Sequence, residues 1–131
     1  VDYLIDTNFA IHRWKQGKAS QEERFIQKNQ SAAMGLPWVV KGEFLRGTFI
    51  AKQNPDEAEA FINRFTMVWP DSPTIRVYSE MYAGLFRANQ LLGPHNLWIG
   101  AAALRHELPM LTRNVKEFSR VTGLRIEDYA K

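Results

Sequence analysis

The sequence predicts an α/β fold, a short parallel sheet covered by helices on both faces. Two observations carry this expectation. Short apolar runs recur along the chain, and a segment with helical spacing separates each from the next. The chain also has 131 residues, 45% hydrophobic and 24% charged, the balance of an ordinary globular domain able to bury a core without crosslinks. One domain over residues 1–131 is expected, with no repeat, linker or low-complexity tract.

Residues 1–5 form an apolar run that stops at Asp6-Thr7-Asn8. This reads as a buried strand leaving through a polar turn into a helix capped by Asn8. Gly17 closes that helix, and Ser20-Gln21-Glu22-Glu23 has the capping-box pattern of a second one carrying Phe25 and Ile26. Residues 31–36 are a weaker strand. Pro37 suits the first turn of a helix running to Ile50, where its missing N–H would have no partner in any case. Asn54-Pro55-Asp56-Glu57 supplies a cap, a proline at the first helical position and acids at the positive end of the macrodipole. The helix it starts carries Ala58, Phe61, Ile62 and Phe65. Residues 66–69 are a third strand, and Asp71-Ser72-Pro73 opens a long helix that Gly93-Pro94 ends. A small-residue helix over 96–107, a strand at 110–112, a polar turn at Arg113-Asn114, a short helix and an apolar patch around Ile126 complete the chain. Trp14, Trp38, Trp69 and Trp98 lie on or beside periodic segments and are expected in the core.

The net charge of +3, from 17 Lys and Arg against 14 Asp and Glu, permits a polyanionic partner without requiring one. With no cysteine, thiolate nucleophiles, disulfides and cysteine zinc sites are removed together, and a reducing cytosol is expected. No apolar run approaches membrane-spanning length, and the first residues lack the basic and apolar regions of a signal peptide. The three histidines show no spacing suited to zinc, and the chain has neither a nucleophile elbow nor a Gly-rich phosphate loop.

Carboxylates in unexpected places mark the candidate site. On the helix from Pro37 to Ile50, Glu43 falls between Val39, Val40, Gly47 and Ile50, the middle of an otherwise apolar or small face. Such a carboxylate must find a cation or donors: a structural Arg is one reading, a functional cleft the other. Asp6 sits where a strand ends and a helix begins, the edge at which open parallel sheets place ligand groups, although a turn or cap role also fits. Asn96 and Asn114 read either as cap and turn residues or as members of the same site, and Glu117 follows Asn114 by three residues. Lys41, Arg46, Arg113 and Lys116 could rim an acidic centre or simply be solvated.

Four blocks in order resemble the PIN domain, and more closely its VapC-like ribonuclease toxins: Leu4-Ile5-Asp6-Thr7-Asn8, Gly42-Glu43-Phe44-Leu45-Arg46-Gly47, Gly93-Pro94-His95-Asn96-Leu97-Trp98-Ile99-Gly100-Ala101, and Leu111-Thr112-Arg113-Asn114-Val115-Lys116-Glu117-Phe118. The resemblance implies a three-layer sandwich whose acids meet at the C-terminal ends of the strands. It also implies cleavage of RNA with Mg²⁺ or Mn²⁺, control by a cognate antitoxin, a homodimer and a cytoplasmic location. Residue by residue, it makes Asp6, Glu43 and Asn96 metal ligands and adds Asn114 and Glu117 to the catalytic set. Thr7, Asn8, Arg46, Arg113 and Lys116 are then placed near the RNA. The sequence departs from the family at His95-Asn96, where Asn followed by Asp is usual, so the third carboxylate is a neutral amide and a weakened metal site is implied. That departure motivates a second reading, a catalytically inactive PIN-like module that binds RNA or protein.

Overall fold

The computed structural model describes residues 1–130. Five strands form one all-parallel sheet: β1 (Tyr3–Ile5), β2 (Met34–Pro37), β3 (Thr66–Val68), β4 (Met110–Leu111) and β5 (Ile126–Glu127). Seven helices intervene: α1 (Thr7–Gln16), α2 (Gln21–Lys28), α3 (Trp38–Ile50), α4 (Pro55–Ile62), α5 (Ser72–Arg87), α6 (Pro94–His106) and α7 (Val115–Phe118). The spatial order of the strands is β3-β2-β1-β4-β5. The chain therefore winds outward from β1 to β3, then crosses back to lay β4 on the other side of β1. With the right-handed crossovers that are the rule in parallel sheets, this reversal sends the helices before β3 and those after it to opposite faces, giving the three layers. Within these layers α1 packs on α2 and α3, α3 packs on α4, and α5 packs on α6.

The central strands β1, β2 and β4 are largely buried on both faces, which explains why they read as apolar runs rather than as alternating patterns. Leu4, Ile5, Leu36, Met110 and Leu111 are essentially inaccessible, and Phe9, Phe44 and Phe118 close over them from the helices. Ile5 lies opposite Leu111 in the register between β1 and β4. This pairing brings the next residue of each chain segment, Asp6 and Thr112, to the same edge.

Several boundaries differ from the sequence reading, each for a local reason. Pro37 ends β2 and caps α3 instead of entering its first turn. Ser20 accepts the N–H of Glu23 at 3.0 Å, but the Glu23 carboxylate turns away to Arg13 at 2.6 Å and Gln27 at 2.6 Å, so half of the box is made. The α4 helix stops at Ile62, short of Phe65, and α5 stops at Arg87, short of Gly93-Pro94; just beyond α5, Asn89 takes a left-handed backbone at φ 55°. Trp69 is 66% exposed and Trp38 is also exposed, against the expectation of core packing. The Asn54 cap forms as expected, and α5 opens at Asp71 as expected, where Asp71 and Thr74 also complete a capping box.

The C-terminal segment is fastened by a buried polar contact. Glu22 is 1% exposed, and its Oε2 accepts the Tyr129 hydroxyl at 2.5 Å. Burial, followed by the Glu22 contact, pushes the Tyr129 phenol well above its ordinary range, so the hydroxyl remains a donor. The Tyr129 ring meets Phe9 edge-on at 5.0 Å. Tyr129→Phe should leave the Glu22 carboxylate without its donor and cost about 1–3 kcal/mol. Urea unfolding should show a lower midpoint at an unchanged slope; an unchanged midpoint would deny the contact a stabilising role.

Candidate active site

Asp6 is the first residue beyond β1, and its extended backbone turns the chain into α1. Its Oδ1 accepts the N–H of Phe9 at 2.9 Å, the reach of a helix cap. The cap is therefore Asp6; Asn8 lies exposed inside the first turn. Asp6 Oδ2 accepts the Thr112 hydroxyl at 2.6 Å from beyond β4. The residue is 3% exposed. Burial pushes its carboxyl above the ordinary aspartate value, against the lowering effect of the bonds from Thr112 and Phe9.

The same network continues along the segment after β4. Thr112 Oγ1 accepts the N–H of Asn114 at 2.9 Å, and Asn114 Nδ2 donates to Glu117 Oε2 at 2.9 Å. Glu117 Oε1 accepts the N–H of Gly93 at 2.8 Å and Asn96 Nδ2 at 3.2 Å. Burial by itself would raise Glu117, but the donors from Gly93, Asn114 and Asn96 outweigh it and hold the carboxyl below its ordinary range. Asn96 does not begin its helix: α6 starts at Pro94 with Gly93 as its cap, so the cap reading of Asn96 is corrected. Asn114 does precede α7, yet its side chain makes no cap bond to that helix.

Glu43 forms the opposite wall, where α3 meets α6. Its Oε1 accepts the Thr7 hydroxyl at 2.6 Å, while Oε2 lies 2.7 Å from His95 Nδ1 and 3.7 Å from Arg46 Nη2. The face assigned to it from periodicity is divided in the structure: Val39 and Val40 are buried, whereas Gly47 and Ile50 are exposed. Glu43 is half-buried in the gap between α3 and α6, with donors rather than apolar neighbours taking its charge.

Asp6, Glu43, Asn96, Asn114 and Glu117 thus come together in two hydrogen-bonded groups. One runs through Asp6, Thr112, Asn114, Glu117 and Asn96, the other through Thr7, Glu43 and His95. The groups meet through chain neighbours, Asp6 with Thr7 and His95 with Asn96. Arg113 and Lys116 are exposed beside Asn114 and form no ion pair among the described residues. Sequence reasoning missed Thr112 and His95. A hydroxyl at a buried strand end and a histidine adjoining a suspected ligand were the available signals.

Among the described residues, no three His, Cys, Asp or Glu side chains gather closely enough to hold an ion alone. The donor chemistry still suits a hard divalent cation, which usually takes one or two carboxylates and completes its shell with water and phosphate. Asp6 and Glu43 supply anionic oxygen. The nitrogen of Asn96 is tied to Glu117, and its carbonyl oxygen has no hydrogen-bond partner among the described residues. The buried Asp6 charge meets only neutral donors, an arrangement that a nearby cation would relieve.

No family model matches the chain. A tRNA(fMet)-specific endonuclease VapC from Shigella flexneri is 30% identical to it over 133 aligned positions, covering 99% of each sequence. The chain belongs to the VapC family. Ribonuclease VapC1 of Haemophilus influenzae strain R2866 is 27% identical over 98% of each sequence. A DNA-bound VapBC structure from Salmonella typhimurium superposes with a TM-score of 0.85 at 27% identity over 98% of each chain. The VapC likeness spans the whole sheet and all four sequence blocks, so it encloses the site without remainder.

The raised carboxyl of Asp6 has a consequence for stability. A folded-state value above the unfolded one means that the proton is bound more tightly in the fold, so this group's contribution is complete at low pH and is lost as pH rises through the folded value. Once ionised, Asp6 therefore weighs against folding. In EDTA, Asp6→Asn should melt above the parent at pH 7, with the difference shrinking toward pH 4. A variant less stable than the parent at both values would contradict this account.

Proposed function

We propose that this VapC-family chain is a metal-dependent endoribonuclease, the toxin member of a toxin-antitoxin pair. The observation that carries the proposal is the convergence of Asp6, Glu43, Asn96, Asn114 and Glu117 at the C-terminal edge of the sheet, where the strand order reverses. Open parallel sheets bind ligands at that edge. The names of the relatives supply the substrate class: two ribonucleases, one specific for a tRNA, and a VapBC structure.

Asp6, Glu43 and the Asn96 carbonyl would hold Mg²⁺ or Mn²⁺. Such an ion, when bound, polarises the phosphoryl oxygen and stabilises charge on the attacking and leaving oxygens of an in-line displacement. The remaining work falls to the chain's own groups. Thr112 and the Phe9 N–H fix the Asp6 carboxylate, and Thr7 fixes Glu43, so neither anion must reorganise as substrate enters. Glu117 and Asn114 hold Asn96 in its rotamer. Thr7 and Arg46 contact Glu43, Asn8 follows Thr7 and Arg113 and Lys116 flank Asn114 in the chain, and the exposed guanidinium and ammonium groups suit the RNA phosphates. An antitoxin that covers the cleft would place a basic side chain among the acids. A homodimer and a cytoplasmic site of action complete the proposal. An inactive binding module has less support, because binding alone does not call for a carboxylate held at the expense of its own solvation.

Asn96→Asp should restore one negative charge at nearly constant shape and raise RNA cleavage by about 10² to 10³. Asp6→Ala should abolish it. The measurement is the cleavage rate of end-labelled structured RNA in Mg²⁺ and in Mn²⁺, with EDTA as a control. Cleavage by the parent that survives Asp6→Ala would assign the activity elsewhere, and a well-folded Asn96→Asp protein with no gain would remove Asn96 from the centre.

A further inference from the structure

His95 has no role in the sequence reading, yet it holds a central position in the structure. It occupies the first turn of α6, and its Nδ1 lies 2.7 Å from Glu43 Oε2 on α3. Adjacent cis donors of an octahedral ion with bonds of about 2.1 Å lie about 3.0 Å apart, so these two atoms need part by only a few tenths of an ångström to share one. Asn96, the next residue, is turned by its bond to Glu117 so that its nitrogen is engaged and its carbonyl oxygen is not. The geometry points to His95 as a metal ligand beside Glu43, in a site that selects a first-row transition ion such as Mn²⁺ over Mg²⁺. This rests on the proposed metal site and adds a ligand and an ion class to it.

The chemistry favours that choice. An amide at position 96 removes one of the negative charges that would attract a hard ion, whereas an imidazole nitrogen is a good ligand for transition ions and a poor one for Mg²⁺. Coordination uses the Nδ1 lone pair, so the contact between His95 and Glu43 would be exchanged for two bonds to the shared ion. Arg46, at 3.7 Å from Glu43, is 62% exposed and free to swing toward solvent.

Titration calorimetry with MnCl2 and with MgCl2, together with pulsed EPR of the Mn²⁺ complex, tests the assignment. The parent should bind one Mn²⁺ at least about tenfold more tightly than Mg²⁺ and show nitrogen modulation from an imidazole. His95→Gln, which keeps a donor toward Glu43 but no imidazole, should lose the modulation and about tenfold in Mn²⁺ affinity, while Mg²⁺ affinity changes less than twofold. Asn96→Asp should narrow the preference by strengthening Mg²⁺. Stoichiometric Mn²⁺ without nitrogen modulation, or with affinity unchanged in His95→Gln, overturns the assignment, makes His95 an ion-pair partner of Glu43 and leaves the nuclease reading intact. Binding seen in Asn96→Asp but not in the parent overturns it for this chain while the family site stands. Absence of either ion from both proteins overturns the assignment and the metal-dependent reading together.

Discussion

The hydrogen bond from Thr112 to Asp6 joins the ends of β1 and β4, and the rest of the site is arranged around it. It exists because the chain reverses its direction of winding after β3 and sets β4 directly beside β1. With Ile5 opposite Leu111, the first polar residue past each strand meets the other over a buried edge. Thr112 uses both capacities of its hydroxyl, donating to Asp6 and accepting from the Asn114 backbone, so one side chain sets the position of the carboxylate and the path of the following turn. From that turn Asn114 reaches Glu117, and Glu117 reaches across to Gly93 and Asn96 at the start of α6. A polar chain of this kind stays ordered because every member finds a partner.

The three carboxylates of the site sit in different electrostatic surroundings. Asp6 is buried among neutral donors, and its charge is unfavourable in the fold. Glu117 has nitrogen donors on both oxygens, which favour its charged form and occupy it. Glu43 is half-buried and faces His95, Arg46 and Thr7. Asp6 and Glu43 are consequently the groups best able to receive an incoming positive charge, and Glu117 acts as a support for Asn96. This division of labour follows from the donors around each group, since the three share a chemistry.

Much of the fold was legible in the sequence. Caps at Ser20, Asn54 and Asp71 act over two or three residues, so the bonds that define them are written in adjacent letters. The first four strands showed as apolar runs because the middle of the sheet is covered on both faces, whereas the two-residue edge strand β5 showed only as an apolar patch. Helix ends were less legible: α5 stops at Arg87 because Asn89 can adopt a left-handed backbone, and Gly93 is left to cap the next helix. Trp38 and Trp69 were misplaced because periodicity reports which side of a helix or strand is apolar, and not whether anything covers that side.

By itself the sequence determined the α/β alternation, the family blocks, and Asp6 and Glu43 as carboxylates out of place, since each depends on residue type and short spacing. The tertiary structure alone decided that Asp6 caps its helix while also bonding Thr112, that Asn96 is held by Glu117 instead of capping, and that His95 faces Glu43. Thr112 stands 106 residues from Asp6, and no local pattern fixes which strand ends will be neighbours. The order of the strands and the meeting of α3 with α6 settle those distances, because packing two layers of helices on one twisted sheet brings together residues that the chain keeps far apart.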